Sequence, residues 1–184
     1  MTILYLITLD SNLPLFSLER TAEILERQFH WKYVGVRIAE SQTVIAQNGK
    51  EKKEEYNAID LVDSLIPRGF GREILAITDH KLIKPNGSWV GGICNPLARK
   101  ALVSRYNFCE KSFSEYALIS ASLHEVGHFF GLEHHVTINP SRKYCPLVTP
   151  YALAKRDNLS ESIPEHFLEF DHSFCSDCTT LLRK

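Results

Sequence analysis

Apolar and polar residues follow two different periods along the chain, and the switches between them mark out its elements. Ile3 to Leu9 is a nearly continuous apolar run with β-branched and aromatic residues, which predicts a strand buried on both faces. Asn12-Leu13-Pro14 interrupts it. Leu18, Ala22, Leu25 and Phe29 then recur at helical spacing, predicting a helix over 18–29 with Ser17 as its N-cap. Val34, Val36 and Ile38 alternate, so Tyr33 to Ala39 is a predicted strand with Val44-Ile45-Ala46 as a candidate partner. Asn57 and Asp60 open a second predicted helix, which carries Ile59, Leu61, Val62, Leu65 and Ile66 and is closed by Pro67 and Gly69. Glu73 to Thr78 reads as another buried strand. The β-α-β-α-β order to this point predicts an α/β layer with a largely parallel sheet.

Further along, Asn86-Gly87 marks a turn. Trp89 to Ile93 reads as a strand with Gly91-Gly92 in its middle, where glycine marks a bulge or a close backbone approach. Ala101 to Tyr106 is the next predicted strand. The stretch Ser112 to His135 holds a long helix that opens on a capping-box pair, Ser112 and Glu115, with Phe113, Tyr116, Ile119, Leu123 and Val126 on its apolar face. Beyond it, Asn139-Pro140-Ser141 is a turn, and 145–150 is too rich in proline for a regular element. Ser162-Ile163-Pro164-Glu165 starts a helix towards Phe170, and Thr179 to Arg183 forms a short last one. No repeat or linker divides the chain. One domain over 1–184 is therefore expected, with an α/β part over 1–134 and a C-terminal part over 135–184.

Composition narrows the function classes. With 44% hydrophobic and 23% charged residues the chain is an ordinary globular protein, and a net charge of -1 gives no reason to expect nucleic acid or an anionic membrane as partner. The mixed-sign run Lys50 to Glu55 reads as a solvated surface. The start, MTILYLITLD, lacks a positive n-region, and no segment reaches the ~18 apolar residues of a membrane span. A cytoplasmic monomer is the expectation. Cys94 and Cys109 stand alone, as small buried hydrophobes would. Cys145, Cys175 and Cys178, the last two a CxxC pair, read as metal ligands before disulfides in a reducing compartment.

The densest chemistry lies in His124-Glu125-Val126-Gly127-His128-Phe129-Phe130-Gly131-Leu132-Glu133-His134. On a helix, His124 and His128 stack on one face and can share one metal ion, leaving the Glu125 carboxylate free. Gly131 can end the helix in the left-handed conformation, which lets His134 swing back as third ligand. Three protein ligands leave one position open for water, the mark of a catalytic zinc. Five such fixed positions would coincide in roughly one chain of this length in a hundred thousand, which weighs against a core helix with incidental histidines. Zinc would bring a bound water towards a pKa of ~7, Glu125 would act as general base, and peptide or amide hydrolysis is the natural reaction.

Three thiolates and one imidazole would complete a second, closed tetrahedral site with no chemistry of its own. His135 is the leading fourth ligand beside Cys145, Cys175 and Cys178, with His166 and His172 as rivals. The bland alternative is a redox CxxC or simply buried thiols.

These residues together resemble the archaemetzincin family of zinc peptidases. The resemblance extends to Tyr56-Asn57-Ala58 opening a helix, to the strand Ile74-Leu75-Ala76-Ile77-Thr78-Asp79, and to Phe174-Cys175-Ser176-Asp177-Cys178. It implies a compact zincin fold with a mixed twisted sheet and an active-site helix. It also implies two zinc ions, one catalytic and one structural, and a peptide substrate paired along a sheet edge near Trp89 to Ile93. Three departures stand out. His135 occupies a position that is usually cysteine, Leu147 stands at the Met-turn methionine, and the stretches on either side of Cys145-Pro146-Leu147 are long. Leu147 is close to methionine in volume, so little loss is expected from it. A catalytically silent zinc protein that binds a partner is the competing reading. A nucleic-acid-binding zinc module is poorly motivated, because no basic bias surrounds Cys175 and Cys178.

Overall fold

The structure, a computed structural model, describes residues 2–9, 11, 13–39, 55–65, 73–106, 114–135, 145–147 and 173–184. Its elements in chain order are β1 (Thr2–Leu9), α1 (Leu15–Phe29), β2 (Tyr33–Ile38), β3 (Glu55–Asn57), α2 (Ala58–Ser64) and β4 (Glu73–Thr78). Then come β5 (Lys81–Ile83), β6 (Trp89–Val90), β7 (Gly92–Asn95), β8 (Lys100–Ser104), α3 (Ser114–Phe129) and α4 (Ser176–Leu182). The main sheet has the order β2-β1-β4-β8-β7. Its first four strands are parallel, and β7 runs antiparallel to β8 at one edge. A small second sheet, β3-β5-β6, lies beside it. The expected mixed α/β fold is what the chain adopts.

Strand side chains alternate between faces, and here both faces are covered. Leu4, Leu6, Leu75, Ile77, Ala101 and Val103 pack with α1 and α3 on one side. Ile7, Leu9, Ile74, Ala76 and Leu102 pack with Leu61 and Val62 of α2 on the other. That double burial is why β1 and β4 read as nearly unbroken apolar runs. Leu4, Leu6, Leu75 and Leu102 are wholly buried, so truncating any one to alanine is expected to cost about 2–5 kcal/mol.

Local chemistry corrects several boundaries. Helix α1 begins at Leu15, because Pro14 holds a φ of -58° just ahead of it and its carbonyl accepts from Ser17 and Leu18 N–H. Ser17 is therefore no N-cap. It lies inside the first turn, buried, and its carbonyl accepts the Thr21 hydroxyl at 2.7 Å. Asn57 does cap α2, its Oδ1 accepting from Ile59 N–H at 3.0 Å. That helix stops at Ser64, where Leu65 turns extended with ψ 119°. The stretch Trp89 to Ile93 is not one strand: the chain leaves the small sheet at Gly91 and enters the main sheet at Gly92. The last helix starts at Ser176, three residues before the expected Thr179. The expectations for Val44-Ile45-Ala46, Pro67, Gly69, Cys109, Ser112, the 139–141 turn and the helix from Ser162 lie outside the described residues. Among the described residues no helix is long and apolar enough to cross a membrane.

Candidate metal centres

Helix α3 is held on the core by Leu118, Ile119, Leu123 and Val126, all buried. That face fixes the rotation of the helix and turns His124 and His128 together towards its opposite side. The helix ends in a Schellman motif: Gly131 N–H donates to His128 O, and Leu132 N–H donates to Gly127 O. Gly131 has φ 73°, as the reversal requires. Leu132 packs back over the helix, and the next residues bring His134 alongside the two helical histidines.

The three Nε2 atoms converge. His128 lies 3.2 Å from His124 and 3.1 Å from His134, and His134 lies 3.0 Å from His124. Edges of a tetrahedron with zinc–nitrogen bonds of 2.0–2.1 Å would be about 3.3–3.4 Å. Two tautomers are set by the backbone. His124 Nδ1 donates to Pro146 O at 2.9 Å, and His128 Nδ1 donates to Leu132 O at 2.7 Å. A neutral ring that donates from Nδ1 presents a bare lone pair at Nε2. Lone pairs at about 3 Å repel unless a cation lies between them, so the donor set fits a metal ion. Burial, outweighing the hydrogen bond to Pro146, holds His124 down to about 4, and burial lowers His134 too. Both rings are thereby kept neutral and ready to ligate.

Glu125 follows His124 directly on the helix. It is buried, and burial pushes its carboxyl up to about 8, partly offset by the charge of Lys84. A divalent cation held by the neighbouring histidines would act in the same direction as Lys84. Sequence reasoning overlooked Lys84, whose charge is also felt at His134. It stands in an exposed turn after β5, and no motif marks it.

The second group also converges. His135 Nε2 is 3.3 Å from Cys175 Sγ and 3.2 Å from Cys178 Sγ, while Cys145 Sγ is 3.9 Å from Cys178 Sγ. All four donor atoms lie within 4.8 Å of one another. The three cysteines are free and buried, and 3.9 Å is far beyond a disulfide bond. Cys178 donates to Cys145, which draws the Cys145 thiol down to about 5 against the opposing effect of burial. The same hydrogen bond, with burial, raises Cys178. Three buried sulfur donors beside one imidazole suit a cation such as zinc. His135 is the histidine brought to this cluster; His166 and His172 lie outside the described residues.

The two groups share backbone. His134 and His135 are consecutive, and His135 N–H donates to Leu147 O at 2.8 Å. Cys145 is followed directly by Pro146, whose carbonyl orients His124. Leu147, fully buried, sits beneath α3, where a β-carbon on Gly127 would meet its Cδ2 at 3.6 Å. These links run through carbonyls and chain adjacency, which leave no composition signal.

Comparisons with known proteins bear on the family and the fold. No protein-family model matches the chain. Archaemetzincins of two Halobacterium salinarum strains are each 28% identical to it over 108 residues, a stretch covering 53% of this chain and 62% of the length of those curated relatives. The fold is that of an archaemetzincin from Methanopyrus kandleri, with TM-score 0.69 and 24% identity, covering 99% of this chain and 93% of that one. An archaemetzincin from Archaeoglobus fulgidus, complexed with malonate, aligns with TM-score 0.67 at 18% identity over 97% and 99% of the two chains. A zinc-dependent peptidase from Methanocorpusculum labreanum aligns with TM-score 0.64 at 20% identity over the same shares. The chain thus resembles the archaemetzincin family over about half its length in sequence and over nearly all of it in fold.

Proposed function

We propose that this chain is a zinc-dependent peptidase. His124, His128 and His134 hold a catalytic zinc, Glu125 is the general base, and His135, Cys145, Cys175 and Cys178 hold a second, structural zinc. The observation that carries the reading is the convergence of three Nε2 atoms at 3.0–3.2 Å, two of them in backbone-fixed tautomers, on a helix that also carries a buried carboxylate. Zinc at such a site supplies Lewis acidity towards a water and a scissile carbonyl. With the cation bound, the Glu125 carboxylate would take a proton from an attacking water and pass it to the leaving amine. Lys84 lends positive charge near the same place. Strand β7 is the edge of the main sheet, and an extended peptide can pair along it by main-chain hydrogen bonds. A reducing cytoplasm is the compartment in which the thiol cluster would persist to ligate metal.

Replacing Glu125 by alanine tests the assignment. Zinc content should stay at the wild-type level, while peptide hydrolysis falls by about 10²–10⁴-fold. An unaffected rate in Glu125→Ala would remove Glu125 as base. A wild-type protein that binds zinc and cleaves no peptide in a broad library would favour a silent zinc-binding module instead.

A further inference from the structure

The nearest neighbour of a side chain at position 92 is another side chain, that of Glu125. A β-carbon built on Gly92 would lie 2.5 Å from Glu125 Oε1 and 2.9 Å from its Cδ and Cγ. Side-chain atoms do not approach so closely. The carboxylate of Glu125 therefore rests against bare main chain of the edge strand. Gly91, next door, shows the contrast: its β-carbon would meet only the Trp89 ring, at 3.7 Å, which is ordinary contact. Neither glycine has a positive φ, so the conformation of the strand does not itself demand them.

Neither backbone can easily withdraw. Strand β7 is laddered to β8, with Gly92 opposite the buried Val103 and Ser104 N–H donating to Gly91 O at 2.8 Å. At its far end Asn95 is tied to Asp63 by a hydrogen bond of 2.8 Å. On the other side, Leu123 and Val126 anchor α3 in the core with no exposure. The element free to give is the Glu125 side chain, which has rotatable bonds and a carboxylate at its tip.

We propose that Gly92 is a positioning residue: the missing side chain is the slot that holds the Glu125 carboxylate in place for proton transfer. This rests on the reading of Glu125 as general base. Any larger residue at 92 evicts the carboxylate while leaving the histidines, and the metal they hold, undisturbed. Gly91 carries no such role.

The test compares Gly92→Ala and Gly91→Ala, each with Glu125 present and with Glu125→Ala. In the zinc-loaded protein, Gly92→Ala should lower kcat by about 10²-fold, the cost of misplacing a catalytic group by about 1 Å. KM should stay within about twofold and zinc content at the wild-type level. With Glu125→Ala, adding Gly92→Ala should lower the residual rate no further. An equal loss from Gly91→Ala, or the same proportional loss in both Glu125 backgrounds, would overturn the proposal. Thermal unfolding of the zinc-loaded protein provides a second readout that needs no activity. Gly92→Ala should lower Tm by about 2–4 °C with Glu125 present and by under about one degree with Glu125→Ala. Identical shifts in the two backgrounds would sink the positioning role. If the wild type hydrolyses no peptide, the functional reading fails, and the Tm comparison still decides whether Gly92 shapes the Glu125 pocket.

Discussion

Arg99 ties together three parts of the chain that sequence keeps apart, and removing it should be costly. It sits in the turn between β7 and β8 at φ 56°, a conformation that costs a residue with a β-carbon about 1–2 kcal/mol. Its guanidinium donates from Nε to Glu73 Oε1 at 2.8 Å, and Nη2 reaches the same oxygen. Nη1 donates to the carbonyl of Phe129, the last residue of α3. The rings of Phe129 and Phe130 lie 5.5 and 4.8 Å from its Cζ. The Glu73 side chain is only 6% exposed, and its Oε2 has no hydrogen bond among the described residues. Burial, and then the charge of Glu73, push the Tyr33 phenol above its usual range. Arg99→Ala therefore leaves a buried carboxylate unpaired and a helix-end carbonyl uncapped. Loss of one partner of a buried pair costs about 3–5 kcal/mol; water that reaches the 29% exposed guanidinium side argues for the lower end, about 3 kcal/mol. Against a typical total of about 5–15 kcal/mol, that is a large share. Arg99→Gly should lose about 1–2 kcal/mol less than Arg99→Ala, because glycine relieves the positive φ. Adding Glu73→Gln to Arg99→Ala should recover part of the loss. Urea unfolding at neutral pH with an unchanged m-value measures all of these. A cost below about 1 kcal/mol for Arg99→Ala, or simple additivity with Glu73→Gln, would refute the reasoning.

Other consequences follow from single contacts. Gly131→Ala should cost about 1–2 kcal/mol in chemical unfolding, because φ 73° is strained for any residue with a β-carbon; no measurable cost would mean the Schellman turn can be rebuilt. Cys175→Ser should reduce bound zinc from about two ions to about one. It should also weaken the remaining site by about 10–100-fold in zinc titration, because Cys145 and His135 adjoin the groups that orient and supply the histidine ligands. An unchanged affinity there would show the sites to be independent. Cys94 should resist alkylation: burial, then the charge of Glu125, pushes its thiol up to about 12, so at pH 8 its thiolate is about 10³-fold scarcer than that of a free cysteine. Cys94 is only partly buried, short of the full burial its sequence context predicts, and iodoacetamide labelling at the rate of a free thiol would contradict the shift.

The parts legible in the sequence were those with a period or a fixed spacing. Strands β1 and β4 were visible because burial on both faces makes most of their residues apolar. The histidine motif was visible because helical geometry, one left-handed glycine and three ligands impose a spacing on the chain. What escaped was tertiary. Ser17 has the chemistry of an N-cap, but Pro14 starts the helix earlier and turns Ser17 inward. Trp89 to Ile93 has strand composition throughout, yet the change of sheet at Gly91 depends on partners far along the chain. The glycine pair drew notice for the wrong neighbour, since only the fold places Glu125 above Gly92. The carbonyls of Pro146 and Leu132, which set two histidine tautomers, belong to backbone that any residue would supply. Arg99 and Glu73 are 26 residues apart, and neither belongs to a pattern.

The most direct test of the two-centre account is a crystal structure of the zinc-loaded protein with anomalous scattering recorded at the zinc edge. Two peaks are predicted, one among His124, His128 and His134 and the other among His135, Cys145, Cys175 and Cys178. A single peak, or a zinc ligated by residues outside those seven, would contradict it.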